Sequence, residues 1–164
     1  MIVEPITDAT FDAFWPTFQD IVRARETYAF DPDLDRDAAH RLWCEVPEAT
    51  WVARDGDVLL GSYYLKANAA GPGGHVCNCG YMVAPAARGR GVAAALCEHS
   101  QELAVSLGYR AMQFNSVVAT NEGAVRLWER LGFEIVGRVP EAFRHPSAGY
   151  VDILVMYKVL TRDA

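Results

Sequence analysis

Tyr81-Met82-Val83-Ala84-Pro85-Ala86-Ala87-Arg88-Gly89-Arg90-Gly91-Val92-Ala93 decides how the chain is read. An apolar strand runs into a proline turn and then into a basic loop broken by glycines. The loop opens a long helix on which Val92, Leu96, Leu103 and Leu107 recur at roughly helical spacing. The first turn of a helix carries N–H groups with no intrahelical partner, and the helix dipole favours negative charge there. Gly89 and Gly91 let a bulky anion approach those amides, and Arg88 and Arg90 add guanidinium forks suited to phosphate. The stretch is built as a cradle for a diphosphate. Gly89-x-Gly91-x-x-Ala94 also matches a dinucleotide fingerprint, which wants an acidic residue at the end of the following strand. The next strand, Ala111 to Asn115, ends in no carboxylate. The plainest alternative is a helix N-terminus with flexible glycines and two solvated arginines.

The 164 residues suit one domain, 1–164, long enough to bury a real core. An apolar fraction of 51% and a charged fraction of 22% are ordinary for a soluble globular protein. No apolar run is long enough to span a bilayer, and Met1 to Pro5 lacks the basic start and apolar core of a signal peptide. The expected setting is the cytoplasm, with no membrane partner. A net charge of −6 argues against nucleic acid as the main partner, since phosphate backbones need a broad basic surface. The basic cluster at 88–90 suits one small anionic ligand instead. Of the four cysteines, at 44, 77, 79 and 97, none forms Cys-x-x-Cys. His75, Cys77 and Cys79 would share a strand face, but no fourth ligand is signalled, so no metal site is expected.

In chain order, Met1 to Ile6 reads as a strand and Thr7-Asp8 as an N-cap. Phe11, Phe14, Trp15, Phe18, Ile21 and Val22 follow at helical spacing. Pro16 should kink or split that helix. Its aromatic face is most simply core, with Phe11, Trp15 and Tyr28 as secondary pocket candidates. A short helix is expected from about 35 to 45. Strands at 50–54 and 58–66 flank the turn signal Asp55-Gly56. Residues 68–74 are a glycine-rich loop, and 75–83 is the strand that leads into the cradle. Gly108 caps the cradle helix, 111–117 is a strand, and 121–131 is a helix stopped by Gly132. Phe133 to Gly137 is a short strand, Arg138 to Gly149 a polar loop, and 150–160 the last strand. The order β-α-α-β-β-β-α-β-α-β-β predicts an α/β chain with a mixed sheet of about seven strands flanked by about four helices.

Two spaced motifs resemble one family. Arg88-x-x-Gly91-x-Ala93 is similar to the acetyl-CoA pyrophosphate loop of the GCN5-related N-acetyltransferase (GNAT) superfamily, Gln/Arg-x-x-Gly-x-Gly/Ala. Behind it, Asn121-Glu-Gly-Ala-Val-Arg-Leu-Trp128-Glu-Arg-Leu-Gly132-Phe133 resembles the superfamily's Asn-x-x-Ala-x-x-Leu-Tyr-x-x-x-Gly-Phe. With the element order, the resemblance spans nearly the whole chain. It implies an acyltransferase, with acetyl-CoA as co-substrate and direct transfer to an amine. Arg88, Gly89, Arg90, Gly91, Val92 and Ala93 would hold the pyrophosphate. Backbone groups near Met82 and Val83 would pair with the pantetheine arm, one N–H (that of Val83) polarising the acetyl carbonyl. Asn121 would touch the cofactor from the start of its helix, where it can also be an N-cap. Trp128 departs from the pattern. An indole cannot replace the tyrosine held to protonate the departing thiolate, which leaves Tyr81, Tyr150 or Tyr157, water or the acceptor's own ammonium to do so.

A narrower resemblance is to fungal acetyltransferases of toxic proline analogues such as azetidine-2-carboxylate. It rests on Asn78, Asn115 and Asn121, on Gly137-Arg138-Val139-Pro140 and on Tyr150-Val151-Asp152. It implies that Asn78 binds the substrate and that Asn115 orients the acetyl oxygen or a water. The alternative for Asn78 is a strand asparagine bonded to backbone. No cysteine sits by a His–acid pair, so a covalent acyl-enzyme is disfavoured. His75, His145 and Glu141 are nominees for the general base. The expected acceptor is a small-molecule amine, an amino acid or proline analogue. A protein N-terminus, a polyamine, an aminoglycoside or a non-catalytic acyl-CoA sensor are the alternatives. Specificity is expected in residues 11–35, 66–75 and 138–150, and analogy with relatives suggests a homodimer.

Overall fold

The computed structural model of the chain describes residues 1–161. Among these, one sheet runs in the order β1-β2-β3-β4-β5-β7-β6. Its strands are β1 (Ile2–Pro5), β2 (Ala49–Asp55), β3 (Val58–Ala67), β4 (Val76–Val83), β5 (Ala111–Val118), β6 (Glu134–His145) and β7 (Gly149–Val159). The α-helices are α1 (Asp8–Ala24), α2 (Arg36–His40), α3 (Val92–Ser106) and α4 (Glu122–Arg130), with a wider helical turn at Arg41–Glu45 after α2. The sheet is mixed, as the interleaving predicts. Every joint is antiparallel except β4–β5. Among the described residues no helix is long and apolar enough to cross a membrane.

Each face of the sheet has its own core. On one face α1 lays Phe11, Phe14, Phe18 and Val22 against Trp43 and Met82. On the other, Leu96 of α3 and Trp128 of α4 close over Phe114, Leu154 and Met156. Helix α1 starts cleanly: the Thr7 hydroxyl accepts from the Thr10 N–H, and the Thr10 hydroxyl accepts from the Thr7 N–H. Of the kink or split expected at Pro16, the split does not occur, for α1 is continuous through residue 16. Pro16 is exposed, so the carbonyl it leaves unpaired on that side is open to water. Phe11, Phe14 and Phe18 are each fully buried, which stabilises the helix by roughly 1.5–3 kcal/mol per side chain.

Residues 138–145, expected as loop, are the second half of β6. The strand pairs with β7 across register shifts at Ile135/Gly137 and Val139/Phe143. Glu141 takes a left-handed φ of 52° there, and its N–H donates to the Asp152 carboxylate (3.0 Å), which Arg138 also holds at 2.7 Å. The extra residues break the two-residue alternation that would have marked a strand. Phe143 then returns to the interior.

All four cysteines are free thiols. Cys77, Cys79 and Cys97 are buried, and burial pushes the Cys97 thiol up to about 11. His75, just before β4, is exposed.

Candidate active site

Strands β4 and β5 pair for only two rungs, Val76 with Ala111 and Cys77 with Met112. At the next rung a side chain takes over: the Asn78 Nδ2 donates to the Gln113 carbonyl at 2.9 Å. Beyond it the strands part. On β5 the register against β7 shifts between Phe114 and Val117, so Asn115 and Ser116 stand opposite a single β7 residue and are exposed. The wedge between the strands opens into a cavity of about 540 Å³.

The antiparallel ladder on the other side of β4 decides which backbone groups face the wedge. Ala84 N–H donates to the Leu60 carbonyl at 2.8 Å, and Asn68 N–H to the Val76 carbonyl at 2.8 Å. Hydrogen-bonded pairs therefore fall on even-numbered β4 residues. Met82, paired with Ser62, spends both its N–H and its C=O on β3, and its side chain is buried. The backbone groups facing the wedge are those of Tyr81 and Val83. Of the residues expected to offer backbone groups, Val83 does so, while Met82 lines the cavity with its backbone committed to β3. The Tyr81 carbonyl already accepts from the Tyr28 hydroxyl at 2.7 Å, while its N–H side looks into the gap.

At the open end of the wedge stands the N-terminus of α3. Gly91 is its N-cap at φ 77°, Gly89 precedes it at φ 74°, and no side chain caps the first turn. Those torsions are left-handed and exclude most side chains. The free amides of the first turn, Val92 and Ala93 among them, thus have no internal competitor for an anion. The two arginines separate. Arg88 lines the cavity, whereas Arg90 turns to Asp55 at 3.7 Å. Asn121 is the N-cap residue of α4 by position, yet its side chain makes no capping bond and lines the cavity. An amide left out of its own helix is available to a ligand.

Trp128 is buried in an aromatic wall, 5.0 Å from the Tyr81 ring and 5.1 Å from Phe114 between centroids. It forms part of the cavity lining and supplies no proton. Of the three tyrosines considered as substitutes, only Tyr81 belongs to the cavity lining. The Tyr81 hydroxyl meets the Ser100 hydroxyl at 2.7 Å, Tyr150 is 65% exposed, and Tyr157 sits in β7; neither of the last two lines the cavity. Tyr28 and Tyr64 line the cavity as well. Burial pushes Tyr28 well above the usual phenol range and Tyr64 up to about 12, so both stand as proton-bearing donors.

His75, His145 and Glu141 are not in the lining. His145 closes the β6–β7 turn, its Nδ1 accepting from the Ser147 and Ala148 N–H groups at 3.2 and 3.1 Å. Segment 138–150, expected to carry specificity, contributes nothing to the wall. Residues 26–30, just past the left-handed Arg25 that ends α1, do contribute. Two charged residues of the cavity lining were missed in the sequence. Glu26 is the one carboxylate in the described lining, and Lys66 its one lysine. No motif announces either of them; only the pairing of β3 with β4 and the turn after α1 bring them in. Asn78, 5% exposed, lines the same cavity with both ends engaged, for its Oδ1 accepts from the Tyr64 hydroxyl at 3.1 Å. Asn115 is held from both sides: its Nδ2 donates to Asn68 Oδ1 at 2.6 Å, and its Oδ1 accepts from Gln113 Nε2 at 2.9 Å.

A family model for the acetyltransferase (GNAT) family matches residues 8–133. Among solved structures, a GCN5-related N-acetyltransferase from Kribbella flavida is 48% identical, with a TM-score of 0.91 over 96% of both chains. A phosphinothricin acetyltransferase from Sinorhizobium meliloti, solved with acetyl-CoA, shares the fold at 19% identity and a TM-score of 0.83, over 99% of this chain and 92% of that one. N-acetyltransferase aca1 of Schizosaccharomyces pombe is 39% identical over 98 residues, 59% of this chain and 47% of that protein. The chain thus spans about half the length of that curated relative, and 13% of a second, Protein SPT10 of Saccharomyces cerevisiae. With the family match running through both the glycine loop and the α4 motif, the chain belongs to the acetyltransferase (GNAT) family.

Proposed function

We propose that the chain transfers an acetyl group from acetyl-CoA directly to the amine of a small molecule, an amino acid or proline analogue. One observation carries this reading: Val83, Arg88, Asn78, Asn115 and Asn121, widely spaced in sequence, line one cavity at the parting of β4 and β5. The residues present suit the co-substrate. The uncapped amides at Gly91, Val92 and Ala93 with the Arg88 guanidinium fit a diphosphate, and the wedge with its free strand N–H groups fits an amide-bearing arm. Acetyl-CoA supplies an activated thioester carbonyl. Val83 N–H, with Tyr81 N–H one rung deeper, is aimed to donate to its oxygen. Asn115, held between Gln113 and Asn68, would orient that oxygen or a water, and Asn121 stands free to touch the arm. Glu26 can receive one proton from the acceptor's ammonium, directly or through water, and the departing thiolate can take its proton from the amine nitrogen as the amide forms, or from water. Positioning supplies most of the acceleration, since no nucleophilic side chain is poised for attack.

Thiol release from acetyl-CoA across an amine panel tests the reading, with azetidine-2-carboxylate and proline included. Preferential turnover of those two supports the whole proposal, and turnover of other amines alone discards the proline-analogue class. CoA binding without any turnover leaves a sensor, and no CoA binding ends the acetyltransferase reading. The separation of the two arginines gives a sharper check. Arg88→Ala raises the KM for acetyl-CoA about tenfold, the loss of a charge-assisted contact. Arg90→Ala changes it by no more than about threefold. Equal effects from both variants would mean that Arg90 leaves Asp55 for the ligand.

A further inference from the structure

The acceptor half of the cavity contains an unassigned cation. We propose that Lys66 is its anion-binding residue, so that acceptors carry a carboxylate close to the reactive amine. The proposal rests on the acetyltransferase reading and names what that same site selects.

Lys66 lies on β3 directly across from Asn78, and the two are a hydrogen-bonded pair of the ladder, so their side chains rise side by side. Tyr64, two residues earlier, shares that face, as does Gly80 on β4. The Lys66 ammonium sits over the Tyr64 ring, 5.4 Å from its centroid, and the residue is part of the cavity lining. That posture turns the charge inward over an aromatic floor. Arg36, Arg54, Arg126 and Arg138 each have a carboxylate partner, and Lys158 is hydrogen-bonded to Gln101 and Leu131. Among the described residues Lys66 has no such partner. A half-buried, unpaired ammonium is an anion site in waiting.

Asn78 adds to it. Its Nδ2 has two hydrogens and gives one to Gln113. The other has no partner among the described residues, so Asn78 and its ladder neighbour Lys66 offer two donors to one carboxylate. The floor is open because residue 80 is glycine: a Cβ there would stand 2.5 Å from the Tyr64 ring and 3.0 Å from the Tyr28 hydroxyl. Tyr28, Phe30 and Tyr64 then present ring faces and edges to the apolar body of the acceptor. From Asn78 to Tyr81, whose N–H faces the wedge, the strand advances three residues, roughly 10 Å. An acceptor of amino-acid size, with the lysine's own reach, spans that interval. Arg88, at the far end of the wedge beyond Val83, is left for phosphate. The cavity therefore has a cation at each end, one for each anionic reactant.

Calorimetric titration tests this without turnover. Azetidine-2-carboxylate, proline and their carboxamides are titrated into wild-type protein, Lys66→Met and Lys66→Arg, each with and without CoA. In the wild type the acids bind about tenfold or more tighter than the amides. Lys66→Met brings that ratio close to one, with unchanged CoA affinity and melting temperature, and Lys66→Arg retains most of it. Equal binding of acid and amide by the wild type overturns the proposal. So does a ratio that survives Lys66→Met, or binding of neither acid. Loss of CoA binding in the wild type is a separate result, and it counts against the acetyltransferase reading instead.

Discussion

A Gly91→Val protein folds but binds CoA at least about 100-fold more weakly than the wild type. Gly91 begins α3 at φ 77°, where a β-branched residue is severely disfavoured. A Cβ added there meets nothing within 4 Å, so the protein itself has room for the side chain. The obstruction falls on whatever approaches the first-turn amides from outside. Losing two charge-assisted N–H bonds, each of about 1.5–3 kcal/mol, accounts for a factor of that size. Gly108→Ala is the control. Its φ is 91° with nothing within 4 Å, but it stands at the other end of α3, away from the cavity. It costs about 1 kcal/mol of stability through the same torsional strain and leaves CoA affinity unchanged. Calorimetry and melting curves on the two variants separate the effects. A Gly91→Val protein that binds CoA within threefold of the wild type would remove the phosphate role from this loop.

Trp43→Ala has the largest expected effect on stability, about 3–5 kcal/mol by urea unfolding. Trp43 is fully buried and meets Phe18 at 5.4 Å, Tyr64 at 5.0 Å and Tyr28 at 6.0 Å between ring centroids. Its Nε1 donates to the Ser62 hydroxyl at 2.9 Å, and that hydroxyl donates to the Trp51 carbonyl at 2.8 Å. The loss is a large share of the 5–15 kcal/mol typical of a domain. Trp43→Phe keeps most of the packing and gives up the indole bond, at about 1–2 kcal/mol. Because Tyr28 and Tyr64 rest on this ring and also line the cavity, the phenylalanine variant should raise the acceptor KM more than that of acetyl-CoA. A loss below about 1.5 kcal/mol for the alanine variant would show that the core closes over the gap.

What was legible in the sequence is local. The glycine loop, the stops at Gly108 and Gly132, the β2–β3 turn and the element order all follow from torsional preference and periodicity within a few residues. Strand β6 was not legible beyond Gly137. It gains its second half by pairing with β7 across two register shifts, and its contacts to Asp152 are made between strands. That Pro16 would not split α1 was not legible for a related reason: its cost depends on which way it faces, and it faces water. In the site, three asparagines could be singled out by motif. Lys66 and Glu26 could not, because each enters the cavity through a partner element. Arg88 fills the fixed first position of the loop motif and Arg90 a variable one, and the structure separates them in the same sense, Arg88 to the cavity and Arg90 to Asp55.

The state of the thiols bears on how this protein can be watched. Cys77, Cys79 and Cys97 are buried and Cys44 is half-covered, and burial pushes Cys44 up to about 12 and Cys97 up to about 11. Only thiolate reacts with a disulfide dye, so at neutral pH the folded chain is nearly silent to it. Colour in a coupled assay then comes from released CoA, with little background from the catalyst. When the dye is present without acetyl-CoA, the same silence becomes a clock. Each buried cysteine is labelled only as fast as its segment opens, so the rates at Cys77 and Cys79 report the opening of β4 and that at Cys97 the opening of α3.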